Sequence, residues 1–157
     1  MDKQHKTLID ELVKLLHGGS AHAGFKDAVG DLPAKLRGEK PGKLPYSIWQ
    51  LVEHIRIAQW DMLQFSKEAE HRSPKWPDEY WVKELTPKDD KEWEGSIKQI
   101  NNDLEEFISL LKREDIYEPL AHGDGQNILR EAFQIADHTS YHVAEIIVIR
   151  RLLGAWG

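Results

Sequence analysis

Apolar residues recur with the period of an α-helix in four long segments, and no segment shows the sustained alternation of a half-buried strand. The first predicted helix runs from Asp2 to Leu16, and Gly18-Gly19 ends it. Its apolar face consists of Leu8, Leu12 and either Leu15 or Leu16. The second predicted helix runs from Tyr46 to Ala69, with an apolar face made of Ile48, Leu51, Val52, Ile55, Met62 and Phe65.

The third predicted helix begins near Pro87, a residue type that suits a first helical turn. Its apolar residues follow at alternating spacings of four and three: Trp93, Ile97, Ile100, Leu104, Phe107 and Leu111. This heptad spacing predicts lengthwise packing against near-parallel neighbours. The fourth predicted helix runs from Asn127, its expected cap, to about Leu153. Its second half is apolar on nearly all sides, so we expect it to be buried.

The segments between these helices carry their own signals. Ser20 is the expected cap of a short helical continuation that reaches Val29. The segment from Asp31 to Pro45 holds three prolines and two glycines, which predict an irregular loop. The segment from Ser73 to Trp81 is rich in proline and tryptophan and predicts an ordered loop. The five tryptophans expected to pack in the core or at the bundle ends are Trp49, Trp60, Trp76, Trp81 and Trp93.

Together these elements predict an all-α protein: a four-helix bundle, antiparallel overall, in a single domain over residues 1–157. The formal net charge of −6 gives no basic footprint, so we expect neither a nucleic-acid partner nor a membrane partner. The chain contains no cysteine, which excludes disulfides, thiolate ligands and a cysteine nucleophile. We see no signal peptide and no apolar run near membrane length, and therefore expect a cytoplasmic protein.

Four polar residues form one stripe on the otherwise apolar fourth helix, within an arc of about 60°: Glu131, His138, His142 and Glu145. His138 and His142 are one turn apart and can aim two imidazoles at one ion. His54 is the best third ligand, because it flanks the apolar face of the second helix and the third helix contains no histidine. Three histidines with open positions are typical of a catalytic rather than a structural metal site.

The spacing alone is a weak signal, because eight histidines in 157 residues give about 0.4 such pairs by chance. The alternative is a pair of histidines at the core edge that bond to Glu131 or Glu145. Asp61 lies two turns beyond His54 on nearly the same stripe, where it could orient a bound ligand. The remaining histidines are expected at the surface (His5, His17 and His71) or at helix ends and loops (His22 and His122).

Two stretches closely resemble the DinB-like superfamily of metalloenzymes. The run from Ile135 to His142, IADHTSYH, resembles the signature of the family's last helix, and the run from Ser47 to His54, SIWQLVEH, resembles the segment with its first metal histidine. Residues 122–126 and 150–154 extend the resemblance. It implies a four-helix bundle that holds zinc, nickel or a similar divalent ion on His54, His138 and His142, and it implies a homodimer.

The chain departs from the family after His142, where Val143-Ala144-Glu145 replaces the frequent Arg-Gly-Gln. By resemblance we expect a thiol S-transferase that activates a small-molecule thiol on the metal and presents it to an electrophile. Glu145 and Asp124 are the candidates for positioning the incoming group. A metal-dependent hydrolase with a carboxylate base, and a non-catalytic metal-binding or oligomerising bundle, stay open as alternatives. Three neutral imidazoles suit zinc, nickel, copper and iron alike.

Overall fold

The computed structural model describes residues 3–113 and 115–157. These residues form five α-helices and no strand, which confirms the all-α prediction. The helices are α1 (Lys3–Leu16), α2 (Phe25–Val29), α3 (Ile48–Lys67), α4 (Asp90–Arg113) and α5 (Ile128–Leu152). Short 3-10 turns lie at Ala34–Leu36, inside the segment predicted to be irregular, and at Asp78–Tyr80. The predicted helix start at Asp2 lies outside the described residues.

The four long helices α1, α3, α4 and α5 form the bundle, and α3 makes its most extensive contacts with α4 and α5. The antiparallel arrangement and the single domain over residues 1–157 stay predictions. Among the described helices, none is long and apolar enough to cross a membrane.

Side-chain caps decide where α3 and α4 begin. The hydroxyl of Ser47 accepts the backbone N–H of Gln50 at 3.2 Å, and the Gln50 side chain accepts the N–H of Ser47 at 3.2 Å. Because Ser47 is the cap, α3 begins two residues later than predicted. The carboxylate of Asp89 accepts the N–H of Glu92 at 2.8 Å, so α4 begins beyond Pro87 and the prediction of Pro87 in the first turn is wrong.

The same chemistry confirms one predicted cap and corrects another. Asn127 caps α5 as predicted, since its side-chain oxygen accepts the N–H of Arg130 at 2.9 Å. Ser20 does not cap the short helix α2. The residue before that helix is Gly24, and the Asp27 carboxylate accepts its N–H at 2.9 Å. The N–H at the start of the helix thus bonds to a side chain of the helix itself.

Two apolar clusters fill the bundle. One joins α2, α3, the first half of α4 and the second half of α5; the other joins α1, α4 and the first half of α5 with Leu63 of α3. In α1 the buried residues are Ile9, Leu12 and Leu16, whereas Leu15 is 45% exposed. The open choice between Leu15 and Leu16 is thereby decided for Leu16.

The prediction that the second half of α5 is buried is wrong for one of its sides. Val148 is 46% exposed and Leu152 is 61% exposed, and Ala144 and Tyr141 are exposed on the same side. The physical reason is that α5 packs against α1, α2, α3 and α4 through its remaining surface. The apolar residues on all sides of α5 therefore predicted more burial than the structure shows.

A buried guanidinium joins the end of α5 to α2. Arg150 is 6% exposed and donates hydrogen bonds from Nη1 to the carbonyl oxygens of Ala28 and Gly30 at 2.8 Å and of Asp27 at 3.2 Å. Its Nε donates to the carbonyl of Ala155 at 2.9 Å. The carbonyls at the C-terminal end of α2, which have no partner inside that helix, are satisfied in this way.

Replacing Arg150 with methionine removes these donors while keeping an unbranched apolar side chain. We expect Arg150→Met to lower the free energy of unfolding by about 3 kcal/mol, because one buried and several partly buried carbonyls lose a charged donor. Arg151→Met is the matched control, since Arg151 is the exposed neighbour, and it should change the stability by less than about 0.5 kcal/mol. Urea titration followed by circular dichroism measures both, and equal losses would refute the assignment.

Candidate metal centre

Three imidazoles from two helices converge at one point. His54 lies on α3, and His138 and His142 lie one turn apart on α5. Nε2 of His138 is 3.0 Å from Nε2 of His54, and one nitrogen of each ring lies within 4.8 Å of the others. The structure therefore brings the three predicted ligands together in a cluster that could hold a metal ion.

The charge state of these nitrogens and the 3.0 Å spacing between His54 and His138 fit a divalent ion. With zinc–nitrogen bonds of about 2.05 Å, tetrahedral geometry places two ligand nitrogens about 3.3 Å apart. Burial, with repulsion from His142 and His54, lowers the pKa of His138 to about 3, and burial with repulsion from His54 lowers the pKa of His142 to about 4. Burial also lowers the pKa of His54. Neutral imidazoles present the lone pairs that a metal requires.

Two of the three rings are oriented by acceptors behind them. Nδ1 of His54 donates to the backbone carbonyl of Tyr80 at 2.9 Å, and Nδ1 of His142 lies 2.6 Å from the carboxylate of Glu145. These partners place the proton on Nδ1 and leave Nε2 as the lone-pair nitrogen. Glu145 thus contacts a candidate ligand from behind the ring and is not one of the three clustered ligands.

The segment after the second 3-10 turn is fastened to the start of α3. Gln50 donates from its amide to the carbonyl of Val82 at 3.0 Å, and the Ser47 hydroxyl donates to the carbonyl of Leu85 at 2.6 Å. The Trp81 ring stacks on the His54 ring with centroids 3.8 Å apart and planes 6° from parallel. The cap of α3 therefore also positions the segment that supports His54.

The tryptophans differ in burial and in the residues they contact. Trp49 and Trp93 are buried as predicted, at 3% and 4% exposure. Trp76 is 71% exposed, so its predicted packing is wrong. Trp81 lies between Tyr46 and His54, and it stacks on Tyr46 at 3.8 Å, so it serves as a stacking partner of the candidate site rather than as packing alone.

Asp61 holds Tyr80, the residue whose backbone carbonyl accepts the hydrogen bond from His54. Its carboxylate accepts the Tyr80 hydroxyl at 2.5 Å and lies 2.7 Å from Nε2 of His71. Burial and the Asp61 contact raise the pKa of Tyr80, so the hydroxyl keeps its proton and donates. The predicted surface position of His71 is wrong, because the chain turns back after α3 and lays this ring against Asp61 and Trp60.

The other candidate residues lie elsewhere. Asp124 is exposed in a loop that His122 ties to the carbonyl of Phe65 at 2.7 Å. Phe65 is eleven residues beyond His54 on α3, or about 16 Å along the helix axis. The structure does not bring Asp124 to the histidine cluster. Glu131 pairs with Arg130 at 2.6 Å, so of the two carboxylates in the alternative interpretation it is Glu145 that bonds to a histidine, His142.

Sequence reasoning missed the roles of Tyr80 and Trp81. Neither residue lies on a periodic segment, and both act through contacts that depend on how the loop between α3 and α4 folds back. The available signal was the density of aromatic residues between Trp76 and Trp81 beside the helix that carries His54.

The fold and the site define a helical bundle whose three inward histidines could share one ion. The sequence pattern of the DinB superfamily matches residues 20–146, which is most of the chain. The chain therefore belongs to the DinB superfamily, as the resemblance of the two histidine segments predicted. Searches of the curated proteins and of the solved structures found no match.

A substitution at Asp61 tests whether its contact with Tyr80 supports the position of His54. Asp61→Asn removes the charge and one of the two acceptor oxygens, so the Tyr80 carbonyl should be held less firmly behind His54. We expect metal affinity to fall roughly tenfold, as is usual when a partner behind a ligand is lost. Competition titration against a chromophoric chelator measures this affinity.

Asp103→Asn is the matched control, because Asp103 is a half-buried carboxyl on α4 whose side-chain contact is with Gln99. It should leave metal affinity unchanged. Equal affinities of the Asp61→Asn variant and the wild-type protein would remove Asp61 from the support of the site.

Proposed function

We propose that this chain is a divalent-metal-dependent enzyme that resembles the thiol S-transferases of its superfamily, with His54, His138 and His142 as the metal ligands. The observation that carries the proposal is the convergence of three neutral imidazoles, two of them oriented by acceptors behind the ring. Zinc and nickel are the proposed ions, since imidazole nitrogen suits both. Three protein ligands leave positions for a substrate, as catalytic sites do.

When bound, the ion would supply Lewis acidity that lowers the pKa of a coordinated thiol. The chain has no cysteine, so the thiol arrives as a cosubstrate. Its sulfur forms a bond to the electrophilic carbon, the bond to the leaving group breaks, and the leaving group departs with the electron pair. The thiol proton goes to water or to Glu145, whose carboxylate is beside His142 and partly exposed. Trp81 holds the His54 ring and covers one of its faces.

One observation favours a second candidate, a hydrolase. The Glu145 carboxylate lies 2.6 Å from Nδ1 of His142 and keeps 35% of its side-chain surface exposed, so it can reach a water molecule and accept its proton. Glu145 would then serve as the carboxylate base. The predicted homodimer, implied by the family resemblance, is kept as part of the proposal.

Metal binding is tested first. We expect the purified full chain to bind one equivalent of zinc or nickel, and His54→Ala to lose it, because two ligands on α5 alone cannot enclose the ion. His17→Ala is the control, since His17 is exposed and its acidic neighbour is Glu105. Inductively coupled plasma mass spectrometry gives the stoichiometry. A His54→Ala variant that retains a full equivalent would overturn the ligand assignment.

The reaction class is tested on the metal-loaded protein. We expect conjugation of a thiol to an electrophile such as iodoacetamide, faster than the uncatalysed reaction, and expect removal of the metal by a chelator to abolish it. Cobalt substitution adds a direct readout, because a thiolate that binds the ion gives a charge-transfer absorption band. Ester hydrolysis without thiol conjugation would favour the hydrolase, and metal binding without either activity would favour a binding protein.

A further inference from the structure

A cavity of about 320 Å3 lies beside the metal centre, between α5 and the segment that leads into α3. Its wall is almost entirely aliphatic and aromatic, and Glu145 is the one charged residue on it. Tyr141 and Val148 stand at its edge, 64% and 46% exposed. A concave apolar site of this size, with few polar groups, is typical of small-molecule binding.

Three side chains connect this cavity directly with the rings of the candidate centre. Glu145 lines the cavity and lies 2.6 Å from Nδ1 of His142. Tyr141 lines it and packs edge-on against the His142 ring, with centroids 4.9 Å apart. Tyr46 lines it and stacks on Trp81, which stacks in turn on His54. A molecule in the cavity therefore touches the immediate neighbours of two candidate ligands.

We propose that this cavity binds the apolar body of the electrophilic substrate, a neutral molecule with an aryl or medium-length alkyl group whose reactive end extends past Glu145 towards the candidate centre. The proposal rests on the proposed function. Carbon-lined walls gain most from a ligand with apolar surface, and the Glu145 carboxylate disfavours an anionic one. A small polar thiol would leave these walls unfilled, so the cavity is assigned to the electrophile and not to the thiol.

Direct binding is measured with N-phenyl-1-naphthylamine, a neutral apolar fluorophore, on the metal-loaded full chain. We expect saturable binding by the wild-type protein and at least tenfold weaker binding by Ala144→Trp, since Ala144 is an exposed helical residue on the cavity wall. Val148→Asp should weaken binding similarly by placing a second carboxylate in the cavity. Asn102→Trp is the control, an exposed helical position on α4 outside this cavity, and it should bind as the wild type does.

Kinetics give the second readout. For 1-chloro-2,4-dinitrobenzene, an aryl electrophile, we expect Ala144→Trp to raise KM at least tenfold, while KM for iodoacetamide and for the thiol changes less than twofold. Circular dichroism and metal content confirm that the variant is folded and loaded. A general loss of activity with both electrophiles would contradict a role in substrate selection.

The outcomes separate this inference from the proposed function. If the chain binds no metal or conjugates no thiol, the proposed function fails whatever the cavity binds. If conjugation proceeds but the fluorophore does not bind, or the variants treat both electrophiles like the wild type, the cavity inference alone is overturned. It is also overturned if Ala144→Trp converts a dimer into a monomer by sedimentation velocity, because a second copy of the chain then covers the cavity.

Discussion

The candidate site depends on one constraint: a histidine that is buried in its neutral form needs a partner for each ring nitrogen. A neutral imidazole has one donor and one acceptor nitrogen, and each buried polar atom needs a partner. In this bundle the donor nitrogens of His54 and His142 point outward to Tyr80 and Glu145, so the acceptor nitrogens are left to face each other. Nε2 of His138 lies 3.0 Å from Nε2 of His54, a hydrogen-bond distance that needs a shared proton when no ion is bound and that a divalent cation could replace. The same hydrogen bonds that satisfy the outward donors thus leave Nε2 of His54 and Nε2 of His142 available to an ion.

The surrounding structure holds the two acceptors of these hydrogen bonds, the Tyr80 carbonyl and the Glu145 carboxylate, in place. Glu145 needs only α5, because it lies three residues beyond His142 on that helix. Tyr80 ends a short 3-10 turn outside the bundle helices, and two side chains hold it in place. Asp61 holds its hydroxyl, and Gln50 holds the neighbouring backbone at Val82. Both of these side chains project from α3, the helix that carries His54. His54 and the two side chains that hold the Tyr80 segment therefore share one rigid element, which limits their relative movement.

Local signals predicted the helices and the ligand set well. The period of apolar residues located the long helices to within a few residues, and Asn127 marked the start of α5 correctly. Spacing on a helix brought His138 and His142 together, since a helical period fixes neighbours on one face. Long-range contacts escaped prediction. The stacking of Trp81 on His54, the burial of His71 against Asp61, and the placement of Asp124 away from the cluster depend on how loops fold back.

The helical period also explains why the candidate centre and the apolar cavity are adjacent. At about 100° per residue, His138 and His142 lie about 40° apart on α5, and Glu145 lies about 20° beyond His138. Tyr141 and Val148 follow within about a further 60°, on the cavity side. Glu145 therefore stands at the boundary between ligands and cavity, at the position where this chain departs from the Arg-Gly-Gln of its relatives. A change of residue there alters the support of His142 and the polarity of the cavity together, so the two properties are coupled through one side chain.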